Sequence, residues 1–215
     1  MSSAEKPAEK YDVKRALKAL YAPRARDFSR IVVPPLQYLA VDGHGDPNTA
    51  PAYAESIEAL YGVAYTLKFA SKKALGRDFV VAPLEGLWRA ADATAFTRRD
   101  KAAWEWTMLI HQPDWVTAEM VEAARSEVLA KKGLAAAGAL RLLRLDEGES
   151  VQILHLGSYD DEAPTLARLH DEYLPAHGLA FNGDHHEIYL SDARRTEPAK
   201  LKTILRQPVR PNAAE

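Results

Sequence analysis

The chain has 215 residues, a formal net charge of −2 and no cysteine. That length suits one domain or two fused modules, and the interleaved charges leave no basic stripe to track phosphates, which argues against nucleic-acid binding. Without cysteines there are no disulfides, thiol nucleophiles or thiolate metal sites. Met1 to Lys10 lacks the apolar core of a signal peptide, and the most apolar stretch, Leu134 to Leu145, is interrupted by Arg141 and Arg144. A soluble, cytoplasmic protein with small-molecule partners, and neither nucleic acid nor membrane as partner, is expected.

Residues 1–10 are charged and aperiodic and are expected to form a disordered tail. Val13, Leu17 and Leu20 share one side of a short helix over Lys14 to Tyr21, halted by Pro23. Gln37 to Val41 is strand-like and ends in the turn Asp42-Gly43-His44-Gly45-Asp46-Pro47. A helix opens at Thr49 and Pro51 and runs to about Leu75, with Tyr53, Ile57, Leu60, Tyr61, Ala64 and Leu67 at helical spacing. Phe79 to Ala82 and Leu84 to Ala90 are strand material with an irregularity around Pro83 and Gly86. Thr97 and Asp100 have the spacing of a capping box. Trp104 to His111 alternates so that Trp104, Trp106, Met108 and Ile110 share a face, and Thr117 to Lys132 is a capped helix stopped by Gly133. Leu140 to Leu145 and Ser150 to Leu156 are expected to form a hairpin around Asp146-Glu147-Gly148. A second amphipathic helix covers about Asp161 to His177, and His185 to Asp192 and Leu201 to Arg206 are the last strands.

The elements repeat. Gln37-Tyr38-Leu39-Ala40-Val41 before Gly43 returns as Gln152-Ile153-Leu154-His155-Leu156 before Gly157, and each leads into a long helix. Leu109-Ile110-His111-Gln112-Pro113 returns as Ile204-Leu205-Arg206-Gln207-Pro208. Between these marks, Pro83-Leu84-Glu85-Gly86-Leu87 and His185-His186-Glu187-Ile188-Tyr189 each set a glutamate in a strand. Chance explains any one match, whereas matches in the same order mark a duplication. The expected fold is α+β: tandem β-α-β-β modules with pseudo-twofold symmetry, helices on one side of a joined antiparallel sheet and a ligand cleft on the other. Its expected limits are a tail and short helix over 1–27, a domain over 28–210 and a tail over 211–215. Within the domain the first module covers about 28–115, a linking helix about 117–132 and the second module about 138–210.

Alternation in His185 to Asp192 puts Ile188 and Leu190 on one face and His185, Glu187 and Tyr189 on the other. That face is either solvated or lines a pocket with Glu187 as its polar anchor. Glu85, at the matching place in the first half and amid apolar residues, favours a shared cleft holding both carboxylates. Trp88, Trp104 and Trp106 cluster around Glu85, and with Tyr189 they suit a flat apolar ligand; core packing is the ordinary use of such rings. Strict alternation sets Glu85 and Trp88 on opposite faces, so a bulge near Gly86 is needed for both to reach the cleft. Adjacent His185 and His186 point apart and do not share an ion, so neither metal nor cofactor is expected. No serine-nucleophile elbow or phosphate-cradling loop occurs.

These residues resemble the GyrI-like small-molecule-binding proteins, specifically the stand-alone subfamily. The resemblance runs from Tyr11-Asp12-Val13 and Leu20-Tyr21-Ala22-Pro23 through Pro83 to Trp88 and Trp104-Glu105-Trp106-Thr107 to His185–Asp192 and Ile204–Pro208. It implies a fold of two β-α-β-β modules and a buried glutamate, at Glu187, that engages cationic ligands. For the stand-alone subfamily it further implies cyclopropanoid cyclopropyl hydrolase-like activity, opening the strained ring of flat, hydrophobic DNA-alkylating compounds inside an aromatic cage. The cage residues implied here are Trp88, Trp104, Trp106 and Tyr189, with His185 beside them; relatives carry a second aromatic after Trp88 where this chain has Arg89. On this reading Glu187 or Glu85 activates a water, Tyr189 stabilises the developing phenolate, and the partners are hydrophobic aromatic or cationic small molecules. A non-catalytic protein that sequesters xenobiotics uses the same cage and is the alternative.

Overall fold

The computed structural model describes residues 10–92, 98 and 100–212. The expected N-terminal tail apart from Lys10, the Thr97 end of the capping box, and residues 213–215 lie outside the described residues. The chain opens with two helical turns, α1 (Val13–Ala16) and α2 (Lys18–Tyr21), broken at Leu17. The first module follows as β1 (Ser29–Val33), β2 (Leu36–His44), α3 (Pro51–Leu75), β3 (Leu84–Arg89) and β4 (Glu105–His111). Helix α4 (Ala118–Lys132), whose N-cap Thr117 accepts from the Met120 amide, packs on α3 and leads to β5 (Arg141–Leu145) and β6 (Gly148–Leu156). The second module continues with α5 (Ala163–Ala167), a π-helical turn over Arg168–Tyr173, α6 (Leu174–Ala176), β7 (Leu179–Phe181), β8 (His185–Tyr189) and β9 (Lys202–Pro211). The widened π turn sits just before Pro175, which has no N–H and whose ring would strike the Asp171 carbonyl in a regular helix.

The antiparallel sheet has the order β1-β6-β9-β8-β3-β4-β2-β5, with β7 added on β9. Outward from the central β3–β8 pair the order is the same on both sides: β3, β4, β2 in one module and β8, β9, β6 in the other. The α+β architecture with a pseudo-twofold is therefore laid out in the strand order itself. The outermost strand on each side is exchanged. β1, which leads the first module, pairs with β6 of the second, and β5, which leads the second, pairs with β2 of the first.

That exchange corrects the expected hairpin. β5 and β6 do not pair with each other; they pass straight from one edge of the sheet to the other. Val33 pairs with Gly148 and Leu36 with Leu145 in one continuous register, so β1–β2 and β6–β5 form a single ribbon interrupted only at Pro34-Pro35 and Asp146-Glu147. Prolines donate nothing to a ladder, which suits them to the break. The expected strand at Phe79 to Ala82 is reduced to one parallel bridge between Phe79 and Tyr11.

Paired residues share a face, so the registers sort every strand residue onto one of two sides. One side carries Leu84, Gly86, Trp88, Trp106, Met108, His185, Glu187 and Tyr189 and lies under the helices: Tyr53 of α3 meets Trp88 and Trp106, and Tyr159 ahead of α5 meets Tyr189. The opposite side carries Tyr38, Glu85, His186 and Arg206 and is closed by α2, whose Leu20 carbonyl accepts from Arg206 and whose Tyr21 donates to Glu85.

Trp106 is fully buried and lies across Gly43, its direct neighbour on β2. A Cβ at Gly43 would fall 2.0 Å from the indole. Gly43→Ala is therefore expected to cost about 1–3 kcal/mol by overpacking, read as a lower urea midpoint. Gly138→Ala, with nothing within 4 Å of the added carbon, is the control and should shift stability by less than about 0.5 kcal/mol.

Candidate functional site

On the helix-covered side, the cleft that the sequence placed opposite the helices opens instead beneath them, with a volume of about 1710 Å³. Its floor is Leu84 and Trp88 of β3 with His185, Glu187 and Tyr189 of β8. One wall is α3, through Tyr53, Ile57 and Tyr61; the other comes from Tyr159, Glu162, Leu166 and His170.

At the aromatic end, Trp88 meets Trp104 edge-on with centroids 5.7 Å apart and Tyr53 at 6.3 Å. The Trp88 indole N–H donates to the Tyr189 hydroxyl at 3.0 Å, and Tyr189 in turn donates to Glu187 at 2.8 Å. Gly86 makes this chain of hydrogen bonds possible. It sits directly opposite Glu187, and a Cβ there would fall 3.0 Å from the Trp88 nitrogen and 3.3 Å from the Tyr189 oxygen. Burial raises the Glu187 carboxyl to about 7, against the pull of the Tyr189 hydrogen bond and of the His186 imidazolium on the far side of the strand.

A second carboxyl shares the cleft. Glu162 is 4 % exposed, and burial, reinforced by Glu187, raises it strongly. Two buried carboxyls that repel each other hold a proton between them at neutral pH. The sequence singled out Glu187 and passed over Glu162, which follows Asp160-Asp161 and looks like an ordinary acidic helix start. His185 has its Nε2 3.7 Å from Glu187, and burial together with His170 and His186 pushes it down to about 3, so it is neutral.

The structure brings Trp88, Trp104, His185, Glu187 and Tyr189 together and sets Glu85 and Trp106 elsewhere. Strand β3 runs without a bulge, so Trp88 reaches the cleft and Glu85 points to the opposite side. Trp106 is packed beneath Tyr53 and does not line the cleft. Glu85 and Glu187 are also not equivalent. Ile110 and Leu205 each stand two residues before a Gln-Pro mark, and their partners across the sheet are Leu84 and Glu187. Leu84 is thus the counterpart of Glu187, and Glu85 that of Ile188. A slip of one residue in matching the repeats moves a side chain to the other face.

Glu85 belongs to an ionic cluster behind the sheet. His186 lies 3.0 Å from Glu85 and 2.9 Å from Glu147, and Arg206 lies 3.1 Å from Glu147. Arg206 also donates to Gln152 and to the Leu20 carbonyl. Burial disfavours charge on His186, yet Glu147 and Glu85 outweigh it and raise the imidazole to about 9. Burial likewise opposes charge on Glu147, but His186 and Arg206 bring it down to about 2.

A family model described as GyrI-like small molecule binding domain matches residues 27–210. The chain belongs to this family. Two solved structures described as a hydrolase from Listeria innocua are 40% identical, cover 94% of this chain and 100% of theirs, and superpose with TM-scores of 0.81 and 0.84. At 10% identity, the C-terminal domain of EcmrR, over 86% of this chain and 98% of that one, shares the GyrI-like fold with a TM-score of 0.55. A comparison with curated proteins found no match.

The cluster behind the GyrI-like site sets a pH dependence of stability. The raised His186 contributes stability that is whole below its ordinary 6.5 and is lost as pH rises through about 9; the lowered Glu147 contributes stability present above 4.5 and lost as pH falls through about 2. Glu147→Gln is expected to cost about 3–5 kcal/mol at neutral pH, since it strips Arg206 and His186 of a buried partner. Urea titrations at pH 7 and pH 9.5 should show the penalty shrinking at the higher pH, where His186 is neutral.

Proposed function

We propose that this GyrI-like domain is a cytoplasmic hydrolase that takes flat, hydrophobic, DNA-alkylating electrophiles into the cleft and opens their cyclopropane ring with water. The observation that carries the reading is Glu187, a carboxyl raised to about 7 by burial and held by Tyr189 beside the ring of Trp88. A carboxylate so placed suits general-base work near neutral pH. The description of structures at 40% identity as a hydrolase supports turnover over storage.

In this reading the ligand stacks on Trp88, with Trp104 and Tyr53 beside it. Ionised Glu187 takes a proton from a water as the water oxygen bonds to the cyclopropane methylene. The ring C–C bond breaks, its electron pair passes through the conjugated system to the carbonyl oxygen, and that oxygen takes a proton from protonated Glu162. The product is substrate plus one water, and proton return from Glu187 to Glu162 restores the site. Tyr189 donates its hydrogen to Glu187 and so orients the base; the donor role expected of it at the phenolate passes to Glu162.

Mass spectrometry on a cyclopropane-bearing alkylator mixed with catalytic amounts of protein is expected to show a product heavier by one water. Glu187→Gln should slow its formation by about 10²- to 10⁴-fold while quenching of tryptophan fluorescence shows that the ligand still binds. An undiminished rate in that variant removes the base role, and intact ligand with the unaltered protein identifies sequestration. The rate should also fall about tenfold per pH unit below about 7, as Glu187 takes up its proton.

A further inference from the structure

Across the sheet from Trp88 the cleft passes over its direct partner His185 of β8 toward His170 on the π turn and Phe181 of β7. This side differs in kind from the aromatic one. Among the described residues, Nε2 of His170 and one ring nitrogen of His185 are shielded from solvent without a hydrogen-bond partner, while Glu162 has the Thr203 hydroxyl beside it. Gln207 commits its amide hydrogens to the carbonyls of Gly183 and Pro208, and its side-chain oxygen is left to accept from one nitrogen of His185, so one ring nitrogen stays open. Buried polar atoms are ordinarily paired, and each orphan costs on the order of 1–3 kcal/mol. Two open imidazole nitrogens lining one side of one cleft mark a place where a ligand supplies the missing partners.

The chemistry of the partner follows from the groups present. Both imidazoles are neutral: burial lowers His170 and His185, and the imidazolium of His186 behind β8 adds to the effect on His185. A neutral imidazole offers one donor and one acceptor. Arg89, which lines the cleft beside Asp184, is engaged by Glu105 and Asp184. No group of three His, Asp or Glu side chains among the described residues is arranged to hold a metal ion. His170 is further fixed edge-on against Phe181 with centroids 4.9 Å apart, which sets the direction of its free nitrogen.

We propose that His170 and His185 form a hydrogen-bonding subsite for an uncharged polar group, an amide or a hydroxyl, carried at the edge of a flat ligand whose rings stack on Trp88. The subsite rests on the cleft being the ligand site, as in the reading above, and adds a selection rule: the cleft prefers flat molecules ending in a neutral donor–acceptor group over the bare ring system and over their cationic analogues.

The test compares acridine, acridine-4-carboxamide and N-methylacridinium at pH 8 by quenching of tryptophan fluorescence. The carboxamide is expected to bind about tenfold tighter than acridine, the margin of one to two good hydrogen bonds, and the acridinium more weakly than the carboxamide. In His170→Phe, which keeps a ring against Phe181, and in His185→Phe, the ratio of carboxamide to acridine affinity should drop toward one. Equal affinities for carboxamide and acridine in the unaltered protein overturn the subsite without recourse to any variant, as does a margin that survives both substitutions. If acridine itself fails to bind, the ligand cleft is refuted and the subsite with it, whereas binding without a margin refutes the subsite alone.

Discussion

Strand β8 is held by β3 on one side and β9 on the other, and a strand has no choice but to send successive side chains to opposite faces. His185, His186 and Glu187 therefore serve two environments that differ in everything but their position. His186 faces the interior behind the sheet and is charged there, locked between Glu85 and Glu147. His185 and Glu187 face the cleft, where burial favours their neutral forms. The packing of α2 on the rear and of α3 and α5 on the front follows from this division.

The charge on the rear is matched within itself: two carboxylates, an imidazolium and a guanidinium, with Gln152 and the Leu20 carbonyl taking the remaining guanidinium hydrogens. Such a cluster tolerates burial only when complete. Its field crosses the strand. The His186 imidazolium draws Glu187 toward ionisation and adds to the burial and the neighbouring His170 that hold His185 neutral, so a group behind the sheet helps to set the protonation of two that face the cleft.

Much of this was legible in the sequence. The long α3, the capped α4, the face shared by His185, Glu187 and Tyr189, and the β-α-β-β repeat all depend on local periodicity and capping, which the residues state openly. The glutamate at the centre of both Pro83–Leu87 and His185–Tyr189 misled, because short strings align equally well one residue apart and only the cross-strand register fixes which alignment is structural. The two-residue link Asp146-Glu147 looked like a hairpin for a similar reason: a tight turn and a straight crossing have the same length, and the partner strands β1 and β2 that decide between them lie far away in sequence. Glu162 carried no signal of its own, since an acid at the start of a helix is commonplace and its burial beside Glu187 is a tertiary fact.

The exchanged leading strands bear on how the chain reaches this state. Ser29 pairs with Gln152 and Leu36 with Leu145, so β1 has no partner and β2 an unfilled edge until β5 and β6 have been synthesised. Non-local pairings of this kind slow folding, since the connecting chain must be ordered before the contacts that reward it exist. Until those strands are made, the edge of β2 is open, and an open edge is where a β protein is most exposed to pairing with the wrong chain.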